Sequence, residues 1–167
     1  MGRLRVSGFV QESIVDGPGL RFVIFAQGCN HFCRGCHNPQ TFDLNGGYEV
    51  EIDYIIEQIK KNPLLRGVTF SGGEPFLQPL QFIEIAKKVH ELGLDVVSFT
   101  GYTFEELTQA NAKDKWKELL YNIDILIDGP FILEKKNMMI KFRGSENQRI
   151  LDVKSSLETG NIVEITF

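Results

Sequence analysis

Apolar positions along the chain change period several times, and each change marks an element. Residues 4–10 alternate apolar with polar or small side chains, the period of a strand, expected here at a sheet edge. Asp16-Gly17-Pro18-Gly19 supplies turn chemistry, and the near-continuous apolar run over residues 20–26 predicts a strand buried on both faces. After the turn at Asn45-Gly46-Gly47 the period lengthens: Ile52, Ile55, Ile56 and Ile59 share one helical face, and Asn62-Pro63 ends it. Residues 67–70 are the next strand. Leu80, Ile83, Ala86, Val89 and Leu92 make a second amphipathic helix closed by Gly93, and residues 94–99 a further buried strand. Thr103 with Glu106 has the pattern of a capping box, opening a third helical region that reaches about Tyr121 and breaks near Ala110-Asn111. Residues 123–127 form another apolar strand. Beyond Pro130 the pattern weakens to a loop over 135–148, with short strands at 149–153 and 162–167.

Three strand-helix units followed by a fourth strand predict a parallel sheet wrapped by helices, because parallel neighbours need a crossover connection. A closed eight-unit barrel typically needs at least ~200 residues, and this chain has 167. The fold class is therefore α/β: a partial βα barrel, open on one side, with mostly parallel strands, in a single domain over residues 1–167. A content of 43% hydrophobic residues suits a sizeable core. A formal charge of −4 without a basic block gives nucleic acid no electrostatic footprint. No apolar run reaches membrane-spanning length, and Met1-Gly2-Arg3-Leu4-Arg5 leads into the first alternating segment instead of a signal-peptide core, so a cytoplasmic location is expected.

All three cysteines fall within eight residues, as Cys29, Cys33 and Cys36 in a C-x3-C-x2-C spacing. An odd, clustered set without a secretory signal argues for metal ligation and against a disulfide framework. Two readings of the loop stand side by side. One is a zinc knuckle completed by His31 or His37. The other is a four-iron cluster in which each thiolate holds one iron and the fourth iron stays open to a small molecule. The loop leaves the end of a buried strand, where parallel α/β sheets keep their ligand sites. One unit on, at the same end, comes Ser71-Gly72-Gly73-Glu74-Pro75. Its glycines allow close backbone approach, and its amides with a carboxylate can hold a zwitterionic head group, although such a turn is also common as plain structure.

The cysteine spacing followed at once by His37 resembles the signature of the radical S-adenosylmethionine (SAM) superfamily. Gly72-Gly73-Glu74-Pro75 is similar to the motif with which those enzymes hold the cofactor's amino group. Together, in order, the two motifs favour the iron-sulfur reading over zinc. Further segments extend the resemblance over most of the chain: Val15-Asp16-Gly17-Pro18-Gly19-Leu20-Arg21-Phe22, Cys36-His37-Asn38-Pro39, Thr100-Gly101-Tyr102-Thr103, Asp128-Gly129-Pro130-Phe131 and Arg143-Gly144-Ser145-Glu146-Asn147-Gln148-Arg149. The first two are shared with pyruvate formate-lyase activating enzymes. The last three, with the short length, resemble the activating proteins of anaerobic ribonucleoside-triphosphate reductase.

The resemblance implies that Cys29, Cys33 and Cys36 ligate three irons of a 4Fe-4S cluster and that SAM chelates the fourth. It implies that His37 lies beside the adenine with Gly35 and Cys36 nearby, that Gly72, Gly73 and Glu74 meet the methionine amino group, and that Ser71, Thr100 and Asp128 face the cofactor. Arg143 pairs with the cofactor carboxylate or with the partner. As ordinary structure, Thr100 could cap a helix, Asp128 could sit in a turn, and Arg143 and Arg149 could be solvated charges. The implied reaction makes a glycyl radical on the large subunit of the reductase, with a one-electron donor such as a flavodoxin. Another glycyl-radical enzyme or a small molecule such as a pterin-derived precursor stays open as the substrate, and a homodimer stays open as the assembly. Tyr102 is expected to pack and hydrogen-bond, His31 to be a polar loop residue, His90 to face solvent on a helix, and the lone Trp116 to pack in the core or an interface.

Overall fold

Arg21–Ala26 (β2) has Phe22, Val23, Ile24 and Ala26 all buried, so both of its faces are covered, and the sheet is built outward from it. The computed structural model describes residues 2–109 and 112–167. The other strands are β1 (Arg3–Ser13), β3 (Tyr48–Glu51), β4 (Gly67–Gly72), β5 (Asp95–Phe99), β6 (Ile125–Asp128) and β7 (Arg149–Asp152). They form one seven-stranded sheet in the order β3-β1-β2-β4-β5-β6-β7. β2, β4, β5 and β6 run parallel, as the alternation of strands and helices predicts. β1 and β3 extend one side antiparallel, and β7 extends the other. The outermost strands β3 and β7 do not pair with each other, so this is an open α/β sheet and not a closed barrel.

The helices are α1 (Ile52–Lys60), α2 (Pro79–Glu91), α3 (Phe104–Thr108), α4 (Asp114–Tyr121) and α5 (Val153–Thr159). They pack on the sheet face that carries Leu4, Ile24, Phe70, Val96, Leu126 and Leu151, and this layer is the main core. Alternate strand residues point to the opposite face, where Val97, Ile127 and Ile150 form a smaller cluster with Phe99, Phe142 and Ile165. No helix among the described residues is long and apolar enough to cross a membrane.

Four expectations change. β1 is interior to the sheet, because the short strand β3 covers its outer side; Tyr48-Glu49-Val50-Glu51 alternates apolar with acidic side chains over only four residues, too few to announce a strand, and is largely exposed. Leu80 and Leu92 are exposed, and α2 buries Phe82, Ile83, Ile85, Ala86 and Val89 instead. Residues 162–167 form no strand; they meet β7 through one bridge, Leu151 to Glu164, with backbone bonds from Asp152 N to Val163 O and Ile165 N to Ile150 O. The chain turns into α5 directly after β7, with the Asp152 side chain accepting from Ser155 N at its start and Gly160 in the left-handed region (φ 72°) at its end. The expected break at Ala110-Asn111 lies outside the described residues; α3 ends at Thr108 and α4 begins at Asp114. The capping box of Thr103 and Glu106 is present as read.

Arg21 fastens the loop between β1 and β2 to the sheet. Its side chain is fully buried, and it donates to Pro18 O (2.8 Å), Thr69 Oγ1 (2.7 Å), Val68 O (3.1 Å) and Asp95 Oδ1 (2.5 Å). Thr69 Oγ1 in turn donates to Asp16 O (2.7 Å). Burial pulls the guanidinium pKa below its ordinary value, and Asp95 opposes that shift. Removing a buried charge from its partners is strongly destabilising. Arg21→Met is expected to lower the unfolding free energy by about 3 kcal/mol, read as a fall in the urea midpoint.

Candidate functional site

The parallel strands β2, β4, β5 and β6 end at one cavity of 680 Å³. The cysteine loop follows β2, Ser71, Gly72 and Gly73 close β4, Thr100 and Gly101 follow β5, and Gly129 and Phe131 follow β6. Ile14, Val15 and Asp16 and residues 138–143 complete its wall. Parallel strands all present their C-terminal ends on one side, which is why residues so far apart in the chain meet here.

The cysteine loop is closed at its base by Gly28 N donating to Thr41 O (2.7 Å) and Cys29 N to Phe42 O (3.3 Å). Gln27 Nε2 pins the returning chain at Gln40 O (3.1 Å) and Asp43 O (2.7 Å). Cys29, Cys33 and Cys36 are free thiols and all three line the cavity, Cys29 buried and the other two half-buried. Desolvation raises the thiol pKa of Cys29 and of Cys33, so their thiolates need a cationic partner. The thiols share a wall without converging: among the described residues no three His, Cys, Asp or Glu side chains are placed to hold one metal ion. A group whose separate metal atoms each take one thiolate fits this spacing.

Glu74 is the centre of the polar structure beneath the cavity. Its carboxylate is fully buried. It accepts from Phe76 N (2.9 Å), from the Thr100 hydroxyl (3.0 Å to each oxygen) and from Gly101 N (2.8 Å), and it meets His31 Nε2 at 2.7 Å. Three segments are thereby joined: the end of β4, the end of β5 and the cysteine loop. His31, expected to be a plain loop residue, is the loop's tether. Its ring also packs edge-on against Tyr102 (4.5 Å between centroids), whose hydroxyl accepts from Asn30 (2.9 Å). Tyr102 and the buried Trp116 behave as expected, their rings packed 4.6 Å apart at a 45° tilt.

The two glycines before Glu74 are needed by packing. A Cβ on Gly72 (φ 92°) would lie 2.5 Å from Ala26 N, and one on Gly73 would strike the Gly28 carbonyl oxygen. Their expected free amides are engaged: Gly73 N donates to Ala26 O and Glu74 N to Gly28 O, each at 2.8 Å.

The other predicted residues divide. His37 lines the cavity, its ring 5.2 Å from that of Phe131. Cys36, Ser71 and Thr100 line it too. Arg143 lines it with its Nε enclosed and unpartnered, while Nη1 donates weakly to Gln148 O (3.4 Å). Gly35 lies off the cavity, turned by its φ of 77° against Leu133. Glu74 and Asp128 also lie behind the wall. Asp128 accepts from Phe104 N (2.7 Å) and twice from Arg149, at 3.0 and 2.5 Å. Arg149 also bonds Glu105 (2.6 Å), and these carboxylates raise its pKa; it is a clamp between β7, β6 and α3 and not a solvated charge. His90 is exposed on α2 as expected and also meets Asp124 Oδ2 at 2.8 Å. Neither His31 nor His90 carries a local signal, since their partners lie 43 and 34 residues away.

Residues 15–151 match the family described as 4Fe-4S single cluster domain. The chain is similar to proteins named anaerobic ribonucleoside-triphosphate reductase-activating protein. That of Vibrio cholerae is 37% identical, over 82% of this chain and 90% of its own. That of Escherichia coli K12 is 35% identical, over 81% and 90%. That of bacteriophage T4 is 34% identical, over 81% and 86%. The crystal structure of QueE from Escherichia coli aligns with 60% of this chain and 54% of its own, with a TM-score of 0.48 at 16% identity.

Replacing Glu74 by Ala leaves Phe76 N, Gly101 N and the Thr100 hydroxyl without an acceptor in a buried site, and releases His31. A loss of about 3 kcal/mol in unfolding free energy is expected, together with a cysteine loop that is cut faster by protease at low enzyme concentration.

Proposed function

The chain belongs to the family of anaerobic ribonucleoside-triphosphate reductase-activating proteins, and from that premise we propose that it is a radical SAM activase that installs a glycyl radical on the large reductase subunit. The observation that carries this reading is that the chain's only three cysteines open into one cavity at the ends of the parallel strands.

In this proposal Cys29, Cys33 and Cys36 hold three irons of a 4Fe-4S cluster, with the fourth iron left to SAM. When bound, the cluster supplies the one electron that splits the SAM sulfonium, giving methionine and a carbon radical that takes hydrogen from the target glycine. The residues of the chain orient and enclose. Burial of Cys29 keeps water from its thiolate. His31 and Glu74 hold the ligand loop against the ends of β4 and β5. The methionine head group carries an ammonium, a pure donor, and a carboxylate, a pure acceptor. Ser71 and the backbone carbonyls of Gly72 and Gly73 are the acceptors assigned to the ammonium, since the amides beside them are engaged with β2. Arg143, with an unpartnered Nε at the wall, is the cation assigned to the carboxylate. His37 and Phe131 form the aromatic side assigned to the adenine. Glu74 acts here through the atoms it holds and not as a direct ligand, and Gly35 serves the turn that presents Cys36.

The open sheet favours a macromolecular substrate, because a protein loop has room to enter where a closed barrel would exclude it. A reduced flavodoxin is the class of donor this chemistry asks for.

Anaerobic reconstitution with iron and sulfide is expected to give about four irons per chain, and the reduced protein an EPR signal that shifts when SAM is added. With the reductase present, a glycyl doublet should follow. Cys29→Ala, Cys33→Ala and Cys36→Ala are each expected to abolish the SAM response and the doublet. A wild-type protein that retained one zinc and gave no SAM-responsive signal would sink the reading.

A further inference from the structure

Of the six most exposed large apolar side chains among the described residues, four stand together, while Leu64 (77%) and Tyr121 (72%) lie away from the cavity. Met139 is 91% exposed, Met138 83%, Ile14 74% and Val15 70%, and all four stand at the mouth of the cysteine cavity. Single exposed apolar residues need no explanation, but a group around one opening marks an interaction site. Because they are so largely exposed, a ligand small enough to fit inside the cavity would leave these side chains mostly in water. Only a larger surface laid across the mouth covers them.

The segment that carries the two methionines is basic in an acidic chain, with Lys141 and Arg143 on the cavity wall and Lys135 and Lys136 just before it in sequence. Residues 135–143 contain Lys135, Lys136, Lys141 and Arg143 and no acidic residue, whereas the whole chain has 22 acidic against 18 basic side chains. Among the described residues none of these four cations forms an ion pair, and the three lysines are exposed. Nearby Glu134 is taken by Arg34, and Arg149 by Asp128 and Glu105.

We propose that residues 135–143, with Ile14 and Val15, form the docking surface for an acidic, apolar-bearing segment of the protein substrate, which rests on the activating role assigned above. The methionines are unbranched and polarisable and pack on irregular apolar shapes, and the lysines speed encounter with an acidic surface. A nucleic acid would use the cations but gain little from four aliphatic side chains without an aromatic stacking platform among them. A second copy of the chain pairing through this surface about a twofold axis would bring the same lysines together, which repels.

The test uses the reductase of the same organism and two variants, Lys135→Glu/Lys136→Glu and Met138→Ser/Met139→Ser. Three quantities are read: SAM cleavage without reductase, the reductase concentration that half-saturates glycyl-radical formation, and reductase binding by sedimentation. The charge-reversed variant is expected to cleave SAM as the wild type does, and both variants to require about tenfold more reductase. Rising salt should weaken wild-type binding and leave the charge-reversed variant nearly unaffected. Unchanged half-saturation and binding in both variants would overturn the proposal, as would an effect explained by a change in the chain's own oligomeric state or by displacement of bound RNA. A wild type that cleaves no SAM removes the activating role instead, and sedimentation with the reductase still decides the surface.

Discussion

A carboxylate with no exposure to water persists only where donors surround it. Glu74 meets that condition by drawing on three segments at once, and the rest of the site inherits its geometry from this one requirement. The turn after β4 must bring Phe76 N back to the side chain, β5 must end with a hydroxyl followed by an open amide, and the loop after β2 must place an imidazole over the same point. Any of these segments shifted by one residue leaves a buried charge short of a partner. The glycines at 72 and 73 belong to the same constraint: the close approach of β4 to β2 that lets Glu74 point beneath the cysteine loop excludes a Cβ at either position.

Carboxylate and cation are divided between the wall and what lies behind it. Glu74 and Asp128 are both turned into the protein, Glu74 hydrogen-bonded to backbone amides, the Thr100 hydroxyl and His31, and Asp128 paired with Arg149. Among the described residues, what faces the cavity includes three thiols, His31, His37, Lys141 and Arg143, with Asp16 as the only acidic side chain lining it. Such a balance favours anionic occupants, whether thiolate-bound metal sulfide or a carboxylate, and it disfavours a bare cation held by oxygen ligands. The division also separates two kinds of motif residue: those that line the cavity and those that hold the former in place.

Much of this was legible from residue order alone. Parallel strands separated by helices follow from the change of apolar period, and the cysteines and the Gly-Gly turn are local patterns whose shared end of the sheet follows from strand direction. Three kinds of feature were not legible. β3 and α5, of four and seven residues, are too short to carry a periodic signal. His31 and Arg149 look like surface polar residues because their partners are supplied by other strands. The inward turn of Glu74 and Asp128 could not be read either, since a motif states which residue is present and not which way its side chain leaves the backbone.

Behind the tether runs a row of rings. Trp116, the only tryptophan in the chain, donates its indole N–H to Phe76 O at 2.9 Å and packs at a tilt against Tyr102, which touches His31. The indole therefore sits two contacts from the cysteine loop while remaining in the rigid core. Its emission is a built-in optical gauge: loosening of His31 changes the packing on Tyr102 and with it the polarity and quenching around a single fluorophore. The state of the loop can thus be followed by intrinsic fluorescence, without a label and in a sealed anaerobic cuvette.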